Sequence, residues 1–157
     1  MRLFLLSTFL FTVLGLAPRP VLADVPSPAG PKVRCPVCGM FVAPYPTWQA
    51  VILFGDGARL DFDGPRDLFR YLQEASRQFP GRTLTEVREV WVTEYYSAQP
   101  VLATEVYFIA GSDVLGPMGQ ELVPVRGVKQ AETFMRDHGG SRLFRFDGRE
   151  LKEIERD

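Results

Sequence analysis

Both cysteines of this chain, Cys35 and Cys38, stand in the stretch RCPVCGMF, with Met40 two residues beyond the second. Two thiols and a thioether in one short segment admit three chemistries: a small disulfide, a redox-active dithiol, or a soft-metal site. Thiolate and thioether together select Cu(I) over Mg, Ca or Mn. Downstream, the chain offers Met118, Met135 and a single histidine, His138. Met118 lies in LGPMG, where glycine and proline on both sides exclude a helix or regular strand. It is therefore a loop methionine and a ligand candidate, whereas a methionine is usually core filler. Met135, beside Phe134 on an expected helix, is assigned to the core. His138 reads either as a helix C-terminal residue bonded to the last carbonyls or as a metal ligand.

Each chemistry makes its own demands. A thioredoxin-like CxxC opens a helix, whose N-terminus stabilises the thiolate. Here Cys38 is followed by GMFVAPYP, where two prolines and a glycine oppose a helix, and a proline-rich segment precedes Cys35. A structural zinc site normally takes four Cys or His ligands, and this chain has three. An inert disulfide would pin the loop but would have no use for Met40, Met118 or His138.

The elements that must hold these residues follow from periodicity. Trp48 to Phe54 reads as a strand, Gly55-Asp56-Gly57 as a hairpin turn and Arg59 to Phe62 as a second strand. Asp63 suits a turn or N-cap and Pro65 a first helical turn. Leu68, Phe69, Leu72, Ala75 and Phe79 then recur at helical spacing, which predicts a helix over 65–78, stopped by Pro80-Gly81. Val87 to Tyr95 alternates as a third strand. The order then repeats: a strand over Leu102–Ala110, a short one over Glu121–Val125, a helix from Gly127 stopped at His138-Gly139-Gly140, and a strand over Arg142–Phe146. The expected fold is α+β: two ββαβ units, at about 47–96 and 101–147, packed into one domain spanning 34–157. Trp48, Phe62 and Trp91 default to the core. The tail DGRELKEIERD is charged and expected to be solvated.

The first 23 residues pattern as a secretory signal peptide: Arg2, an apolar run from Leu3 to about Ala17, and small residues at Val21-Leu22-Ala23. Residues 24–33 are proline-rich and expected to form a flexible tether. The chain carries 18 basic and 19 acidic residues. Loss of the leader removes Arg2 and Arg19 and leaves 16 against 19. That balance gives no electrostatic footprint for nucleic acid. What remains is large enough to bury a core without disulfide staples, so the cysteines are not needed to hold the fold.

Three motifs in order, Cys35-Pro36-Val37-Cys38-Gly39-Met40 with Trp48, then Asp61 through Phe69 (DFDGPRDLF), then Gly116-Pro117-Met118-Gly119 with Ala131–Phe134 running into His138-Gly139-Gly140, resemble the NosL family over about residues 34–146. That family consists of exported copper-binding accessory proteins of nitrous oxide reductase. The resemblance implies a chaperone without turnover that holds Cu(I) for assembly of a copper–sulfide centre. It also implies the apo-enzyme and an ABC-type membrane complex as partners, and a pair of ββαβ units. By motif, Cys38 and Met40 are the first ligand candidates, Met118 and His138 next, and Cys35 after them. Many members are anchored through a cysteine at the leader cleavage site. None stands there in this chain, so the expectation is a soluble periplasmic protein, or a relative serving another copper client. A periplasmic thiol–disulfide oxidoreductase using Cys35 and Cys38 is the alternative.

Overall fold

The structure, a computed structural model, describes residues 25–78 and 84–155. The expected leader and the Pro80-Gly81 helix stop lie outside the described residues. Among the described residues, no helix is long and apolar enough to cross a membrane.

Strand β1 (Ala50–Phe54) turns back through Gly55-Asp56-Gly57 into β2 (Arg59–Phe62), pairing Ala50 with Phe62 and Leu53 with Arg59. Helix α1 (Pro65–Gln78) follows, then β3 (Val87–Thr93), which returns antiparallel to β1 with Val51 opposite Trp91. Short β4 (Pro100–Leu102) completes a sheet ordered β2-β1-β3-β4. After a 3-10 turn at Ala103–Glu105 come β5 (Val106–Ala110) and a small hairpin of β6 (Leu115–Gly116) and β7 (Gly119–Gln120). Next are β8 (Val123–Arg126), helix α2 (Val128–His138), β9 (Arg142–Phe146) and β10 (Leu151–Glu153). The second sheet runs β8-β5-β9-β10. In both sheets the order is thus second strand, first strand, post-helix strand and a short edge strand.

The core explains why α1 matters. Ala50, Ile52, Phe54, Phe62, Val90 and Val92 from the first sheet meet Val106, Phe108, Phe144 and Phe146 from the second in one buried cluster with Leu68, Phe69 and Leu72. Phe69 sits at the join, its ring 4.8 Å from Phe108 edge-on and 5.3 Å from Phe146. Successive residues of β5 and β9 take opposite faces. Ile109 and Leu143 accordingly turn to a second cluster with Val123, Val125, Ala131, Phe134 and Met135 of α2. Large buried aromatics at such joins carry the most transfer and cavity energy. Phe69→Ala is therefore expected to lower stability by about 3–5 kcal/mol, read as a fall in urea midpoint with an unchanged slope.

Five expectations change. The single strand expected over Leu102–Ala110 is two, in different sheets, joined by the 3-10 turn at Ala103–Glu105 where the chain crosses over. The strand expected from Glu121 starts instead at Val123, because Glu121 turns inward. The segment LGPMG, whose glycines and proline oppose a regular strand, forms the β6–β7 hairpin, with Pro117 and Met118 at its turn. The charged tail carries edge strand β10, where Arg142–Glu153 and Lys152–Asp147 ion pairs line a polar edge. The proline-rich segment also does not run free. The Ala29 amide donates to Gln49 Oε1 at 3.0 Å, and the Arg59 guanidinium grips the Ser27 carbonyl at 2.6 Å. Pro26 and Pro28 line a cleft with Val51 and Trp91 on the outer face of the first sheet.

Candidate metal centre

The cysteine loop is a tight, braced turn. The Cys35 amide donates to the Met40 carbonyl at 2.8 Å, and the Gly39 amide to the Cys35 carbonyl at 2.9 Å. Gly39 takes φ +77°, a left-handed conformation that favours glycine. Arg34 closes the turn from outside, donating to the Gly39 carbonyl at 2.7 Å while its guanidinium stacks 3.7 Å from the centre of the Phe41 ring. This bracing is possible because Arg34 and Phe41 pair as an isolated antiparallel bridge.

The turn delivers both sulfurs to the start of α1. Cys38 Sγ donates to Asp63, 3.3 Å from each carboxylate oxygen, and Cys35 Sγ to Asp67 Oδ2 at 3.5 Å. Cys35, Cys38, Asp63 and Asp67 each place one ligand atom within 4.8 Å of the others. Among the described residues, these are the His, Cys, Asp and Glu donors that converge in this way. Cys35 is 1% exposed and Asp63 1%, while Cys38 is half-buried and so is the accessible member. Both cysteines are free. Burial pushes the Cys35 thiol up to about 11, and burial likewise raises Cys38, with the neighbouring carboxylates adding to both. The arrangement stores two protonated thiols against two carboxylates. It can exchange those protons for a thiophilic cation.

The candidate residues fall in three places. Cys35, Cys38 and Met40 share the braced turn, with Met40 half-buried. Met118 tips the β6–β7 hairpin, 46% exposed, and its carbonyl accepts from Arg66, the neighbour of Asp67 in the first turn of α1. The structure thus fastens that hairpin beside the cluster. His138 lies elsewhere, at the end of α2. Its Nδ1 is 3.0 Å from Asp113 Oδ1 and its ring 4.6 Å from Phe134. Sequence reasoning missed Asp63 and Asp67. The signal was present: carboxylates four apart across a helix start place both side chains on one face. From its sequence context alone, Asp63 suits a turn or cap and nothing more.

Fold and site together define a small α+β protein that gathers thiols and buried carboxylates at a helix start in a way suited to holding a metal ion. A sequence model of the NosL family matches residues 26–153, so the chain belongs to the NosL family. Among solved structures, it is similar to the crystal structure of the copper chaperone NosL from Shewanella denitrificans. The two share 25% identity with a TM-score of 0.64, over 78% of this chain and 94% of that one. No curated protein matches the chain.

Proposed function

We propose that this protein is a copper chaperone: it holds Cu(I) at Cys38 and passes it on without turnover. The observation that carries this reading is the convergence of Cys35, Cys38, Asp63 and Asp67 at the start of α1 in a NosL-family chain. The solved copper chaperone of similar fold supports it. Cys38, the accessible thiol, is the primary ligand. Met40 and Met118 contribute thioethers that add Cu(I) affinity without charge, and Cys35 completes the set at the cluster, with His138 a further candidate apart from it at the end of α2. Asp63, already accepting the Cys38 S–H, is the nearest base when the ion displaces that proton. Low coordination leaves room for a partner's ligand, so copper moves through a shared intermediate.

The client in this reading is nitrous oxide reductase, whose copper–sulfide centre needs copper, with an ABC-type membrane complex as docking partner. Family resemblance supports both. The leader-like first 23 residues support a periplasmic location. The oxidoreductase reading fares worse, because a nucleophilic CxxC needs a lowered thiol pKa and burial moves these two the other way.

The test is an anaerobic titration of the reduced protein with Cu(I) against a chromophoric chelator, with Zn(II) in parallel. Stoichiometric Cu(I) retention with weak Zn(II) binding is the expected result. Copper left on the chelator overturns the reading.

A further inference from the structure

Glu121 is a buried carboxylate that the cysteine–aspartate cluster does not use. It follows β7 and reaches across the molecule to the start of α1, where Oε1 accepts the Arg66 amide at 2.5 Å and its own neighbour's amide, Leu122, at 2.9 Å. Two glycines make room for it. A Cβ on Gly64 would come 2.2 Å from Oε2, and one on Gly116 would come 2.9 Å from Cγ. Neither position shows a left-handed φ, so close approach, not backbone freedom, is what these glycines supply. Arg66 returns the grip, donating to the Gln120 carbonyl at 2.6 Å and to the Met118 carbonyl at 3.5 Å. Its other contact is Asp67, at 3.8 Å, which in turn faces Cys35. One residue of α1 therefore connects the cluster to the hairpin that carries Met118, and Glu121 holds that residue's backbone.

We propose that Glu121 is a positioning residue: with Arg66, it latches the β6–β7 hairpin onto the start of α1 and so sets the Met118 thioether beside the cysteine–aspartate cluster, where it can take part in copper binding. The copper half of this inference rests on the proposed function; the latch itself does not.

The test compares wild type with Glu121→Ala, Glu121→Gln and Arg66→Ala, using protein labelled with 13C at the methionine methyls. In the metal-free protein, amide exchange across residues 115–120 is expected to quicken about tenfold in Glu121→Ala, because the two buried hydrogen bonds to Oε1 are lost. On adding one equivalent of Cu(I), the Met118 methyl signal is expected to shift in wild type. In Glu121→Ala it stays in place while the Met40 signal still moves, and Cu(I) affinity falls about tenfold. Combining Glu121→Ala with Met118→Leu is expected to cost no more than either change alone. Glu121→Gln keeps the Oε1 acceptor and is expected to restore all three readouts, which loss of bulk packing would not require. Arg66→Ala is half-exposed, keeps the backbone amide and gives the same direction of effect where Glu121→Ala does not fold. Unchanged exchange at 115–120 in the variants overturns the latch, whatever copper does. Faster exchange with an unaltered Met118 response to bound Cu(I) overturns its role in positioning. Failure of wild type to hold Cu(I) overturns the proposed function while the exchange data still decide the latch.

Discussion

Cys38→Ser is expected to lose more than about 100-fold in Cu(I) affinity while unfolding at nearly the wild-type midpoint. Changing a group that merely supports a metal ligand costs about 10–100-fold, and a hydroxyl replacing the primary thiolate removes the soft donor itself. Stability should be spared because Cys38 is half-buried, so water can satisfy a serine hydroxyl there. Cys35→Ser is the informative contrast. Cys35 lies within the main core cluster, so its replacement is expected to cost stability as well as any affinity. A competition titration with urea unfolding on the same samples separates the two. Wild-type affinity in Cys38→Ser would remove Cys38 as the main ligand.

Stability is expected to fall by roughly 3 kcal/mol as pH rises from about 5 to about 8, and Glu121→Gln should abolish most of that slope. Burial lifts Glu121 from the ordinary 4.5 to about 7, with the facing Arg66 opposing the rise and Asp67 adding to it. Between those values the folded chain keeps a proton that the unfolded chain has lost. Stability therefore declines as pH climbs through the window and levels off above it. Each tenfold change in proton affinity is worth about 1.4 kcal/mol, which sets the scale. Glu94 works in the opposite direction. It is lowered despite its burial, through bonds from the Ser97 hydroxyl and amide, so its contribution is lost only as pH falls below about 4.5. Denaturant melts of wild type and Glu121→Gln across this range measure the difference. A flat wild-type profile would show that Glu121 ionises as it does in an unfolded chain.

What the sequence made legible was local. The second strand at Arg59–Phe62, the helices and the closing strand at Arg142–Phe146 lie where periodicity put them, because each repeats an apolar spacing against one surface. The crossover at Ala103–Glu105 was hidden, since Val101 and Val106 are both buried but in different sheets, and their apolar pattern reads as one strand. Edge strand β10 was hidden by its charges, which suit an exposed edge as well as a loop. At the site, the thiol pair announced itself through its spacing. Asp63, Asp67 and Glu121 did not, because the partners that give them roles come from 25 to 55 residues away, namely Cys38, Cys35 and Arg66.

That separation has a kinetic meaning. The sulfurs arrive on one turn, the carboxylates on a helix start, and the latching glutamate from the other sheet's half of the chain. Contacts so distant in sequence form only as the topology closes, since the loop entropy must be lost first. A newly made or stretched chain carries two ordinary thiols and no assembled cluster. The donor array thus comes into being together with the tertiary structure, and possession of it marks a chain that has finished folding.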